Sequence, residues 1–250
     1  MPLDVRPLSV DGRRSTIRIM FPLSCSKLFA LLQMGDSAFP IGGFSFSAGL
    51  EGAVAEGMVT TIEDLDDYTR TVVCAAARLD AIAALEAFRA IGQNRLSHLG
   101  EIDHRVLEMK LPAESRTQTL RMGARLCSLL RAISPSPLVE RWGQMVDKAE
   151  GVVTLPVAQA VGAALFDVGE QGLFAAHLYG SASVVLNASL RLMRVSHYDT
   201  QRILLSLGPL VERLYQRYGS EQLDSMSAFT PLVDIAASLH ERGRGRLFMN

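Results

Sequence analysis

The chain has 250 residues, 48 % of them apolar, and a formal net charge of −1. That length and apolar share argue for one sizeable core and against global disorder. Near-neutrality argues against binding nucleic acid or an anionic membrane through the overall field. Aromatic residues are scarce and Ala, Leu and Met common, which favours helix packing over a β-sandwich. The three cysteines, Cys25, Cys74 and Cys127, are odd in number and form no C-x-x-C pair. They fit free thiols in a reducing compartment better than a disulfide frame or a zinc site.

Residues 1–25, rich in Pro, Arg and Ser, read as a flexible amino-terminal arm. The stretch "GRRSTIR" (12–18) has the outline of a twin-arginine export signal. Arg18, Pro22 and Lys27, however, interrupt the apolar run that such a signal needs. A lipoprotein site at Cys25 would want a leucine where Pro22 stands. The reading is a cytosolic extension.

Helical periodicity begins at Ser26 with Leu28, Leu31 and Leu32. The stretch "FPIGGFSFSAGLEGAV" (39–54) interrupts it, and a short helix is expected over 47–56. Thr61 is an expected N-cap, with Glu63 and Asp64 favourably placed near the positive end of the helix dipole. Steps of three and four from Ile62 through Leu65, Thr69, Val72, Ala76, Leu79 and Ala83 predict one helix running to about Gly92. Further helices are expected near 101–110, 114–132, 137–150 and 154–167, with Pro112, Pro135 and Pro137 marking breaks.

Residues 171–190 contain no Asp, Glu, Lys or Arg. Their length suits a membrane span, but Gln171, His177, Ser181, Ser183, Asn187 and Ser189 are too many polar groups for one. A central helix buried on all sides is the expectation. A last long helix is predicted over 200–218, kinked at Pro209, before a short segment at 231–240 and the tail "ERGRGRLFMN". The fold class is therefore all-α: a single-domain helical bundle over 26–240, followed by a flexible docking tail over 241–250.

Candidate chemistry is sparse. Asp64, Asp66 and Asp67 in "EDLDDYTR" suggest an alternative, an all-α metal-dependent enzyme, but acidic residues are stabilising in a helix's first turn without any metal. The five histidines show neither i, i+4 pairing nor clustering with cysteine, and His177 is most simply a hydrogen-bonded core residue. Gly42-Gly43 lacks the Lys-Ser/Thr of a phosphate loop, and "GFSFS" lacks the glycine and preceding strand of a nucleophile elbow. No catalytic residue, metal site or cofactor is indicated. Phe39, Pro40, Ile41, Phe44 and Phe46 either plug the core or present an apolar patch, and the core plug is favoured. In the tail, Arg242, Arg244 and Arg246 alternate with glycine before Leu247 and Phe248. That pattern suits a peptide ordering on a protein partner, with the two apolar residues as anchors.

"LLQMGDSAFPIGGFSFSAGLEGAV" resembles the amino-terminal signature of the urease accessory protein UreF family, of the form L-Q-x-x-x-x-x-x-P-x-G-x-F-S-Y-S-x-G-L-E. The likeness continues in order through "ESRTQTLRMGARLCSLL", "TLPVAQAVGAAL", "NASLRLMRVSHYDTQRIL" and "IAASLHERGRGRLFMN", covering about residues 27 to 250. The resemblance implies a cytoplasmic, all-α homodimer that is not an enzyme. Such a chaperone joins a UreD/UreH-type scaffold and a UreG-type GTPase in delivering nickel to apo-urease. It also implies partner-binding roles for Arg242, Arg244, Arg246, Leu247 and Phe248, for Phe39, Pro40, Phe44 and Phe46 in the signature, and for Arg191 and Gln201. Arg116, Arg121, Arg125 and Arg191 are candidates for a cation that assists the GTPase, with none singled out. The sequence departs from the family pattern at Phe46 (usually Tyr), Leu155 (commonly His) and Met249-Asn250 (usually Arg-Ser).

Overall fold

A computed structural model describes residues 24–36, 38–149, 151–241 and 246–249. All but the last two residues of the expected amino-terminal arm lie outside the described residues. Among those described there are twelve α-helices, two short 3-10 turns and no strand. In chain order the helices are α1 Cys25–Gly35, α2 Leu50–Ala55, α3 Ile62–Arg78, α4 Asp80–Gly92, α5 His98–Met109 and α6 Ala113–Ile133. They continue with α7 Pro137–Lys148, α8 Leu155–Leu165, α9 Gly169–Leu192, α10 His197–Ser206, α11 Gly208–Tyr218 and α12 Pro231–His240.

Local chemistry fixes most of the helix starts. Before α3, Thr61 accepts from the Asp64 N–H and Asp64 accepts from the Thr61 N–H, a reciprocal capping box. Ser196 and Asp199 repeat it before α10, while Ser24 and Ser136 cap α1 and α7. Prolines sit in the first turns of α7, α8, α11 and α12, where the missing N–H has no helical partner to lose.

Three expectations need correction. The helix predicted from Thr61 to Gly92 is two, broken at Leu79. No glycine or proline marks the break. Leu79 is buried, and the adjoining Asp80 pairs with Lys110 at 2.8 Å, so the turn answers to contacts far along the chain. The helix predicted over 200–218 starts earlier, at His197, and is interrupted at Leu207 rather than kinked at Pro209. Proline both lacks an N–H and crowds the preceding turn, so α11 restarts with Pro209 inside its first turn.

The third concerns α9. It is not buried on all sides: Ala175, Tyr179 and Asn187 are exposed along one face, and Ala176, Gly180, Ser183 and Val184 are half-buried. It is long and apolar enough to cross a membrane, yet half of its most apolar stretch is buried against its neighbours. The most enclosed of the described helices is α8, eight of whose eleven residues are buried and none exposed. Its small residues admit α4 and α6 closely, and Gly162 lies against Met34 and Leu130. The main core gathers around α4, α8 and α9. A second, smaller core joins Leu50, Leu65, Val185, Leu186, Ile203 and Ala236, and it receives Phe248 from the tail.

Candidate functional site

Gly49 adopts a left-handed conformation (φ +78°) at the start of α2, which turns the signature loop sharply into the helix. A side chain at Gly49 would press on the Tyr68 hydroxyl and the α12 backbone, and one at Gly52 would run into the Ala236 carbonyl. These two glycines let α2 and α12 pack backbone to backbone, which carries Glu51 to the carboxyl end of α12. The first turn of α6 brings Glu114 to the same place.

His240 lies between the two carboxylates. Its Nδ1 is 2.8 Å from Glu114 Oε2 and its Nε2 is 2.8 Å from Glu51 Oε2. Arg246 donates to the other Glu114 oxygen at 2.7 Å. Glu51 accepts from the backbone N–H of Leu247 at 2.8 Å and of Phe248 at 3.0 Å. The Met249 N–H donates to the Ser45 carbonyl in the signature loop at 2.8 Å. The Arg191 guanidinium sits 4.8 Å from the centre of the Phe248 ring, within cation–π reach. Residues 246–249 are thus clasped against the body by α2, α6, α9 and the end of α12.

The electrostatics suit this. Side-chain exposure is 3 % at His240, 9 % at Glu114 and 13 % at Glu51. Two largely buried carboxylates need compensating partners; Arg246 supplies a cation to Glu114, and each carboxylate lies within hydrogen-bond reach of one ring nitrogen of His240. Burial pushes the Glu51 carboxyl up, but the N–H groups of Leu247 and Phe248, together with His240, outweigh it and hold the group below the usual range. The two ring nitrogens of His240 serve different carboxylates, so the trio surrounds no common point. Among the described residues no three His, Cys, Asp or Glu side chains gather as metal ligands. The arrangement can hold and orient a peptide; it contains no nucleophile–base pair.

Comparison with known proteins decides the family. A model described as UreF matches residues 59–208. The chain is 43 % identical to urease accessory protein UreF 2 of Brucella canis over 223 residues, 89 % of this chain and 92 % of the relative. It is 34 % identical to urease accessory protein UreF of Yersinia enterocolitica over 228 residues, 91 % of this chain and all of the relative. The chain belongs to the UreF family. It is a urease accessory protein and not an enzyme. The matched UreF segment takes in Glu114 and Arg191, whereas Glu51, His240 and the tail lie outside it.

The residues nominated from sequence divide. Arg191, Arg246, Leu247 and Phe248 meet at the clasp. Phe248 is only 6 % exposed and packed on its own chain, whereas Leu247 is open to solvent. Phe46 is buried, as a core plug should be, but Phe44 is 73 % exposed, Pro40 is exposed and Phe39 half-buried. Phe39 and Phe44 edge a cavity of about 250 Å³ whose walls include α3, α6, α9 and α12. Gln201 is exposed on α10, away from the contacts described. Arg242, Arg244 and Asn250 lie outside the described residues. Leu155 lines the cavity, and its N–H donates to Thr119. Met249, besides its bond to Ser45, accepts from Arg121 through sulfur at 3.2 Å.

His177 is a core histidine as expected. Its Nδ1 faces Gln159 Oε1 at 2.6 Å, and burial lowers its pKa. The acidic trio does not converge. Asp64 caps α3, with the N–H groups of Thr60 and Thr61 holding its pKa down to about 2, while Asp66 pairs with Arg70. Sequence reasoning did not nominate Glu51, Glu114 or His240. Each stood inside a quoted motif, but nothing local distinguishes a clasp carboxylate from a solvated one.

Proposed function

We propose that this UreF-family chain is a non-enzymatic, cytoplasmic chaperone of urease maturation that acts as a homodimer. It joins a UreD/UreH-type scaffold and a UreG-type GTPase so that nickel reaches apo-urease, and the clasped tail is its scaffold-docking element. One observation carries this reading. The signature loop and α2, the start of α6, the end of α9 and the end of α12 come from distant parts of the chain and meet around residues 246–249. So much of a chain spent on holding four residues is hard to account for unless their presentation matters. Leu247 is 58 % exposed and Met249 50 % exposed on the clasped segment, apolar groups held outward on a fixed backbone. Ordering a peptide before it binds removes part of the entropic cost of association.

The dimer is supported by α1. None of its residues is buried, and Phe29 (74 % exposed) and Leu32 (64 % exposed) form an apolar face left open by the other described residues. The docking role is tested by deleting residues 241–250 and measuring capture of the scaffold. Loss of capture with an unchanged circular dichroism spectrum is expected. Capture at the wild-type level would overturn the assignment of the tail.

A further inference from the structure

We infer that the clasp is a protonation-operated latch on the carboxyl-terminal tail, closed while His240 bears a proton on both ring nitrogens and opened when it gives one up. The argument is geometric. A carboxylate oxygen only accepts, so both glutamates, each 2.8 Å from a ring nitrogen, must receive an N–H. The imidazolium has two N–H groups and neutral imidazole has one. Once neutral, the ring serves a single carboxylate and turns a lone pair on the other, inside a site that is nearly dry.

Charge balance points the same way. Glu51 from α2 and Glu114 from α6 face His240 directly, and Arg246 from the tail faces Glu114. Glu241, the next residue on, accepts from the Glu114 N–H at 3.1 Å. Arg191 of α9 and Arg121 of α6 touch the tail at Phe248 and Met249 rather than at the ring. The four groups at the centre, two carboxylates with His240 and Arg246, are neutral together when His240 is charged and carry one net negative charge when it is not. Buried, uncompensated charge is costly, so the cluster relaxes by its least constrained part. That part is the tail segment 246–249, which belongs to no helix and is held by the bonds named above. Opening withdraws the Leu247 and Phe248 amides from Glu51 and lifts Phe248 out of the second core. Protonation of the ring keeps the tail seated, and loss of that proton frees it. The consequence for scaffold docking rests on the function proposed above; the latch itself does not.

Amide hydrogen exchange on the full chain, corrected for the intrinsic pH dependence of exchange, tests this at Leu247, Phe248 and Met249. Between about pH 6 and about pH 9 their protection should fall by roughly tenfold or more, while core amides of α8 stay protected. In Glu114→Gln the side-chain amide can donate to Nδ1 of the neutral ring while Nε2–H still serves Glu51, so protection should persist at the higher pH. His240→Gln supplies N–H groups at one end only, so its tail should be poorly protected at both. Equal protection of the wild-type tail at both pH values, or a Glu114→Gln tail that opens with pH as the wild type does, would overturn the latch. Scaffold capture in the same two buffers is a separate readout. Its absence in both counts against the docking role, and the exchange data still decide the latch.

Discussion

Asp103 carries a cost that the fold tolerates. It is buried, and its Oδ1 accepts from both the Thr154 N–H and the Thr154 hydroxyl at 2.7 Å, which ties α5 to the start of α8. Burial outweighs those two bonds and pushes the carboxyl up to about 7. A carboxyl that binds its proton more tightly folded than unfolded favours the fold below the ordinary aspartate range. That advantage is lost as pH rises to about 7. At roughly 1.4 kcal/mol per pKa unit, the ionised form costs a few kcal/mol at pH 8. Asp103→Asn keeps an acceptor for Thr154 and removes the titration. Its melting temperature relative to wild type should therefore climb between about pH 4 and about pH 7 and then level off; a pH-independent difference in thermal melts would contradict this. Nothing in "EIDHRVLEM" marks Asp103 as buried, because its partner is 51 positions away. Glu51 and His240, 189 positions apart, were illegible for the same reason.

The helices themselves were far more legible, since what starts them lies within a few residues. Thr61 was readable as a cap, and the structure adds that Asp64 returns the bond and also accepts from Thr60. Thr61→Ala should destabilise the protein by about 1 kcal/mol, as loss of an N-cap does, in chemical denaturation with an unchanged m-value. The tail should remain clasped, since the cap lies at the very start of α3, whereas the helix meets that region further along, through Leu65 and through Tyr68, whose hydroxyl donates to the Ala48 carbonyl. The misread elements are instructive. "CAAARLDAIAAL" is continuous helix by propensity, and only packing broke it at Leu79. An uncharged run at 171–190 marks a helix that belongs in a core but does not say how many of its sides are covered. Enclosure went to α8, which is shorter and richer in small residues, because close approach from several directions needs little side-chain volume.

At the scale of the molecule, an exposed apolar face is where the proposed homodimer can be tested. The α1 face of Phe29 and Leu32 should join two copies. Phe29→Asp with Leu32→Asp is expected to convert a dimer to a monomer by light scattering while changing stability by no more than about 0.5 kcal/mol, as surface substitutions do. A dimeric variant would move the interface elsewhere. By itself the sequence determined the all-α class, most helix boundaries and, through five motifs in order, the UreF resemblance that the relatives bear out. Caps, prolines and apolar periodicity act over a turn or two, so they can be read along the chain. Tertiary structure alone decided that those motifs meet. It placed Phe46 inside and Phe44 outside, and it seated Phe248 on its own core while Leu247 stayed open. It also put His240 between two glutamates, because α2 and α12 approach to backbone contact through Gly49 and Gly52. A charge network assembled across such distances depends on which surfaces pack, and packing is a property of the whole bundle.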